Sequence, residues 1–365
     1  MAITNIRAGL IGTGFGGSVV LPALRQVPGM EVAAVCSAHA EKAGAFAAAH
    51  GIPDATNNVE ALTQRDDLEL VLVCTPPLLH APMSRAALDA GKHTFSTKPL
   101  AATATEARQL AEAARAQGVV TAMDLDNRYV PVRRYFRHLV ASGYLGTPRC
   151  VLSTVLTHHA TKPDSRIYFW NWVSVRAQAG GILGASLGLH HLDLLRYTFG
   201  ELIDIGGLAT TQVTEKPVLA PGYSEWSELG PDTPIVGTRA CDAEDTVVVH
   251  GRLAAGGLFQ MTASWSTHHG SGARVEAYGS DGTLVLDTDG VLYGARAKDS
   301  ELSALEVPPS FGPPSLATDH VGRFVALFGE MAGAIRGEPI DAAYATFDDG
   351  LRVREIAEAV TRETE

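Results

Sequence analysis

The run Ile6-Arg7-Ala8-Gly9-Leu10-Ile11 passes directly into Gly12-Thr13-Gly14-Phe15-Gly16-Gly17, and this junction decides the fold. The first six residues form a short apolar run ended by glycine, as expected of a strand buried on both faces. Gly12, Gly14 and Gly17 then complete a G-x-G-x-x-G. In such a turn the first glycine permits a tight bend and the second lets a pyrophosphate approach the backbone. The third lets the next helix pack close to the strand. Residues 18–26 read as that helix, with N-terminal N–H groups facing the phosphate. A second strand over 31–36 (EVAAVC) closes a unit of βαβ size. Gly12, Gly14, Phe15, Gly16 and Gly17 are therefore candidate dinucleotide-binding residues.

Further along, the pattern repeats. Residues 40–50 are helical in composition, 68–74 (LELVLVC) are an apolar run, and 81–90 are alanine-rich. A short strand follows at 92–96. A helix over 103–117 opens with a capping box, Thr103-x-x-Glu106. Strands alternating with helices predict a Rossmann-type, doubly wound parallel sheet. An acidic residue about 20 positions after the glycines would bind the ribose hydroxyls of NAD. Here that place is Ser37, with His39 and Lys42 close by. Without a carboxylate nothing repels a 2′-phosphate. The expectation for the cofactor is NAD(P), leaning to NADP(H), with NAD tolerated by Ser37 as the alternative.

The 365 residues suggest two domains, each large enough for its own core. Net charge is −11, from 29 Lys+Arg against 40 Asp+Glu, which argues against nucleic acid as a partner. No apolar run approaches the roughly 18 residues of a spanning helix, so no membrane partner is expected. The start of the chain lacks the features of a secretory signal. Cys36, Cys74, Cys150 and Cys241 are far apart and form no CxxC, which reads as reduced thiols in a cytoplasmic enzyme.

In the second half, 132–142 read as a helix and 149–158 as a strand. Residues 165–172 (SRIYFWNW) are unusually aromatic, and Arg166 and Trp172 are substrate candidates alongside the plainer role of core packing. From residue 245 the period becomes two. Phe259, Met261, Ala263 and Trp265 alternate with Gln260, Thr262, Ser264 and Ser266. Turn signals at 254–257, 280–282 and 289–290 separate strands of an antiparallel sheet. Residues 214–242 read as a long loop, and Val353, Ile356, Ala357 and Val360 give the last helix an apolar stripe. The doublets His158-His159, His190-His191 and His268-His269 lack ligand spacing, so no metal is expected.

Three more stretches carry a resemblance: Cys74-Thr75-Pro76-Pro77-Leu78-Leu79-His80, residues 90–100 (AGKHTFSTKPL), and Gly188-Leu189-His190-His191-Leu192-Asp193. With the opening glycines, and in this order and spacing, the chain resembles the Gfo/Idh/MocA family of glucose–fructose oxidoreductases, inositol dehydrogenases and relatives. The resemblance implies an N-terminal Rossmann domain, residues 1–126. It also implies a C-terminal α+β domain, residues 127–365, built on a large, mostly antiparallel open sheet that binds substrate and commonly pairs subunits. Hydride transfer between nicotinamide and a secondary alcohol of a sugar, aminosugar or cyclitol is the implied activity, and a homodimer or homotetramer the implied assembly. Thr75, Pro76 and His80 match cofactor-touching positions. Lys98 and Pro99 match the family's Glu-Lys-Pro, whose lysine lies at the nicotinamide–substrate junction, with Thr97 in place of the glutamate. His190 matches the histidine of Asp-x-x-x-His, with Ser186 in place of the aspartate.

The chemistry is consistent with those assignments. An alcohol giving up hydride needs a group to accept its hydroxyl proton, and histidine, with a pKa of roughly 6.5, suits that task. A lysine ammonium beside the same oxygen stabilises the charge that develops there. Lys98 and His190 are thus the candidate catalytic pair. Asp193, three residues on, either orients His190 or caps or salt-bridges its helix. Asn127 and Arg128 either reach the cleft or secure the domain junction. Thr97 and Ser186, the two departures from the family pattern, fit a second function, a catalytically silent dinucleotide sensor, and a third is a hydrolase or lyase using transient nicotinamide redox.

Overall fold

The computed structural model describes residues 5–185, 187–223, 227–340 and 343–362. They pack as two compact units. One comprises the described residues of Met1–Val130 and Pro314–Arg354, the other those of Pro131–Pro313 and Glu355–Glu365.

Among the described residues, six strands form the sheet of the first unit: β1 (Ile6–Ile11), β2 (Met30–Cys36), β3 (Asp54–Thr56), β4 (Leu70–Val73), β5 (His93–Ser96) and β6 (Thr121–Met123). Their order is 3-2-1-4-5-6 and every pairing is parallel. That is the doubly wound order in which ligands bind beyond the carboxyl ends of the strands where the order reverses, between β1 and β4. Helices α1 (Leu21–Leu24), α2 (Ala40–His50), α3 (Val59–Thr63), α4 (His80–Asp89) and α5 (Ala104–Gln117) connect the strands. Ile6, Ala8 and Leu10 of β1 and all four residues of β4 are fully buried, which explains their continuous apolar runs. The capping box of α5 forms as its spacing predicts, with Thr103 and Glu106 bonding each other's backbone N–H. β3 and β6 escape sequence reading because three residues cannot display a period.

The second unit holds α6 (Pro131–Ala141), β7 (Pro148–Leu156), α7 (Ile182–Ala185), α8 (Leu187–Phe199) and β8 (Leu202–Thr210). After these come β9 (Glu215–Leu219), β10 (Ile235–Ala240), β11 (Thr246–Leu253), β12 (Leu258–Ser264), β13 (Gly272–Gly279), β14 (Gly282–Leu286), β15 (Leu292–Arg296) and β16 (Ser303–Ala304). Eight of the described strands form one sheet, 16-15-14-13-7-12-11-8. Only β7 and β12 run parallel in it; the other pairings are antiparallel. β12 alternates as expected, with Phe259, Met261 and Ala263 buried and Gln260 exposed.

One expectation fails. Residues 214–242 are not a plain loop, because β9 and β10 pair there as an antiparallel ribbon. All six residues of β10 are exposed, so no buried face imposes an alternation on its sequence. Trp170 fixes the ribbon, donating its indole N–H to the Ala240 carbonyl at 3.0 Å while the Arg239 guanidinium lies over its ring.

Two final helices, α9 (His320–Arg336) and α10 (Phe347–Arg362), follow the sheet. α9 belongs to the first unit, where Phe324, Leu327, Phe328 and Met331 are fully buried at helical spacing. Val353, Ile356, Ala357 and Val360 of α10 are buried, as the stripe predicts. No helix among the described residues is long and apolar enough to cross a membrane.

Candidate functional site

The loop after β1 is built around Gly12. Its φ is +101°, and a Cβ there would lie 2.2 Å from the Cys74 carbonyl oxygen. Its N–H donates to the Cys36 carbonyl at 2.9 Å. The turn is thus held between the ends of β2 and β4, in a conformation and a space that only glycine fits. The Gly14 carbonyl accepts from the N–H groups of Gly17 and Ser18, both at 3.0 Å, and starts the next helical turn. That turn, Gly16–Val20, is a widened π-type turn leading into α1. The widening changes the expected division of labour among the glycines. A Cβ on Gly16 would lie 2.9 Å from Leu10 Cδ1, whereas one on Gly17 would lie 2.7 Å from Phe46 Cε2 of α2. Close approach to the strand is therefore made by Gly16, and Gly17 clears the neighbouring helix instead.

Phe15 does not stand alone in this loop. Its ring lies 5.8 Å from that of His320 and 5.6 Å from that of Phe324, both on α9. Beside them Asp126 accepts from Arg323 Nε at 2.6 Å, and His320 Nε2 lies 3.4 Å from the same carboxylate. The opening glycine motif gives no sign of these partners. The signal was present further on, in Asp319 followed by Phe324, Leu327, Phe328 and Met331. Asp319 caps the helix through the Gly322 N–H at 2.7 Å.

At the ends of β4 and β5 the structure gathers Thr75, His80, Thr97 and Lys98. His80 is 1% exposed. Its Nδ1 is 2.6 Å from the Pro99 carbonyl oxygen, and its Nε2 is 2.7 Å from that of Thr75 and 3.0 Å from Thr97 Oγ1. Thr97 Oγ1 also donates to the Val73 carbonyl at 3.3 Å. Burial pushes the His80 pKa down, the two carbonyls push it up, and Lys98 adds to the downward push. His80 thus ties together Thr75 at the end of β4, Thr97 and Pro99. Lys98 is half-buried and Pro76 exposed. Ser37, at the end of β2, is half-buried with His39 and Lys42 exposed nearby, and its N–H donates to the Thr56 carbonyl at 3.2 Å. Asn127 is half-buried in a short 3₁₀ turn after β6. Its neighbour Arg128 pairs with Asp349 at 3.1 Å, a bond inside the first unit.

In the second unit α8 carries His190, half-buried, with His191 and Asp193 both buried. Ser186 lies outside the described residues. Asp193 is 2% exposed and sits mid-helix, so it does not cap a helix end. Burial drives the His191 pKa well below its ordinary value, with Arg133 and His190 pushing the same way. Glu244, a buried residue that the sequence reading passed over, holds the start of α7. The Ile182 N–H donates to its carbonyl at 2.9 Å and the Leu183 N–H to its Oε1 at 3.2 Å. Gly181, at φ +93°, leaves room for that carboxylate, which a Cβ would meet at 2.3 Å. Arg166 is exposed and Trp172 half-buried in a 3₁₀ turn capped by Asn171.

Residues 6–125 match the family model described as an oxidoreductase family with an NAD-binding Rossmann fold. Residues 134–285 match the GFO/IDH/MocA C-terminal domain. The chain is 30% identical over 285 residues to an uncharacterised oxidoreductase of Synechocystis, covering 78% of this chain and 72% of that one. It is 27% identical over 297 residues to levoglucosan dehydrogenase of Pseudarthrobacter phenanthrenivorans, covering 78% and 74% respectively. A solved structure of levoglucosan dehydrogenase with NADH and L-sorbose superposes with a TM-score of 0.83 at 22% identity, over 99% of this chain and 98% of that one.

Proposed function

Because the chain belongs to the GFO/IDH/MocA family of oxidoreductases, we propose that it moves a hydride between a nicotinamide dinucleotide and a secondary alcohol or ketone of a sugar, aminosugar or cyclitol. The observation that carries this reading is the Gly12 turn, held between the ends of β2 and β4 with no space for a side chain. Backbone N–H groups at such a turn, followed by a helix N-terminus, suit a pyrophosphate. When bound, the nicotinamide supplies the hydride chemistry.

The chain's own residues do the rest. Gly12, Gly14, Phe15, Gly16 and Gly17 seat the dinucleotide, with Thr75 and Pro76 at the end of β4. Lys98 holds the substrate oxygen and stabilises its negative charge. His190 takes the hydroxyl proton in oxidation and returns it in reduction. Asp193 orients His190, and Asn127, Arg166 and Trp172 contact the sugar. Ser37 leaves the ribose 2′ position without a carboxylate, which favours NADP(H). The likeness to levoglucosan dehydrogenase supports a carbohydrate substrate. Residues 1–126 and 127–365 are assigned to nucleotide binding and to substrate binding with subunit pairing. Exposed Leu152, Ile203, Leu208 and Leu258 on one face of the eight-stranded sheet support a homo-oligomer.

Nucleotide titration tests the cradle. NADH and NADPH should each quench or shift protein fluorescence, with NADPH binding more tightly, and Gly12→Ala should weaken both by more than tenfold. If neither nucleotide binds to the wild type, the reading is wrong.

A further inference from the structure

His80 meets main-chain acceptors on both of its ring nitrogens, Pro99 O at 2.6 Å from Nδ1 and Thr75 O at 2.7 Å from Nε2. A neutral imidazole has one N–H, so it can donate to only one of these oxygens. The other nitrogen then points a lone pair at a carbonyl oxygen, unless a donor is supplied. The Thr97 hydroxyl, 3.0 Å from Nε2, is such a donor, and it reaches Nε2 and not Nδ1.

We propose that His80 is a positioning residue for Lys98, tying the Lys98–Pro99 segment to the end of β4, and that the Thr97 hydroxyl selects its neutral tautomer. This rests on the reading of Lys98 as a group at the reacting centre. In the doubly protonated ring Nδ1–H donates to Pro99 O, and Nε2–H donates to Thr75 O. Loss of one proton leaves two choices. With the proton kept on Nε2, the Nδ1 lone pair would press on Pro99 O with nothing to relieve it. With the proton kept on Nδ1, the bond to Pro99 O survives. Thr97 then turns its hydroxyl from Val73 O, its longer contact at 3.3 Å, and donates to Nε2. The second choice gives up the bond to Thr75 O, but it supplies a donor to Nε2 and leaves Val73 O with the Thr97 N–H at 2.9 Å, whereas the first supplies nothing to Nδ1.

The tie to the residue after Lys98 therefore persists in both protonation states. The tie to Thr75 is made only by the doubly protonated ring. Lys98 is the charged group acting on this ring, and with burial it favours the neutral form. A glutamate at position 97, as in the family pattern, would when ionised accept a hydrogen bond from a ring N–H and could not donate one to the ring. Threonine reverses that relation, so the departure at 97 has a specific consequence for the joint that carries Lys98.

The test is long-range proton–nitrogen NMR of nitrogen-15 histidine-labelled, cofactor-free protein across a pH titration, with His80→Gln to assign the signal. In wild type the neutral His80 should carry its proton on Nδ1. Thr97→Ser should leave that unchanged. Thr97→Val, which keeps the shape and removes the hydroxyl, should shift the tautomer ratio toward Nε2–H by roughly 2- to 10-fold, the weight of one hydrogen bond. Should His80→Gln fail to fold, the histidine signal that moves between the two Thr97 variants makes the assignment. A neutral wild-type ring protonated on Nε2, or the same ratio in wild type and Thr97→Val, overturns the proposal. Inactivity of the wild-type protein on every sugar would defeat the functional reading while leaving this tautomer result standing.

Discussion

The ring of Phe15, in the glycine-rich loop, meets the ring of Phe324, in α9, edge to face at 5.6 Å. Phe324 is fully buried and also touches Phe95 of β5 and Phe328. A residue far along the chain thus packs against the loop proposed to seat the dinucleotide. Truncating Phe324 to alanine should cost about 3–5 kcal/mol of stability, the usual range for a buried phenylalanine. Phe324→Leu should cost less and still weaken NADH binding, because the edge contact to Phe15 is lost. Denaturant unfolding and fluorescence titration of the same two variants check both effects. Unchanged affinity in Phe324→Leu would separate Phe15 from α9.

The acid limb of stability should depend on His191. Its folded-state pKa lies well below its ordinary value, so the native state holds it neutral. The unfolded chain takes up a proton as pH falls through about 6.5, and stability drops from there downward. One such proton contributes a slope of up to about 1.4 kcal/mol per pH unit. Burial holds the His93 pKa down as well, so a single variant removes part of the slope. His191→Leu also removes a buried Nδ1 that makes no hydrogen bond. Thermal or urea unfolding between pH 7 and pH 5 should show a shallower decline in this variant. An identical decline would mean that His191 takes up its proton in the native state as well, contrary to its lowered pKa.

Much of the fold was legible because local signals agreed with tertiary demands. The apolar run at β1, the glycines, the capping box of α5 and the alternation in β12 each state a structure within a few residues. What escaped was set by distant chain. β10 has no buried face and leaves no period, and in the π-type first turn the close approach to β1 falls to Gly16, leaving Gly17 to clear Phe46 of α2. The burial of His80 follows from the carbonyls of Thr75 and Pro99, which no local pattern announces. The assignment of Lys98 and His190 to chemistry came from residue order and family resemblance, since neither has a distinctive local pattern.

The open face of the eight-stranded sheet should control assembly. Leu208 and Leu258 are 67% and 59% exposed there. If this face pairs subunits, Leu208→Arg with Leu258→Arg should convert the oligomer to a monomer in light scattering while each chain stays folded by circular dichroism. A charge placed at the centre of an apolar interface costs several kcal/mol when it has no partner. An unchanged mass would assign subunit contacts to another surface.

Lys98 and His190 are the residues proposed to perform alcohol–ketone chemistry beside a nicotinamide. The direct measurement is the change in nicotinamide absorbance on a panel of sugars, aminosugars and cyclitols, for wild type, Lys98→Ala and His190→Ala. Wild type should turn over at least one of them. Both variants should retain nucleotide binding and lose at least about 100-fold in kcat, the scale of a missing acid–base group. Turnover at the wild-type rate in either variant would contradict the assigned role of that residue, and in both it would place the alcohol–ketone chemistry on other residues.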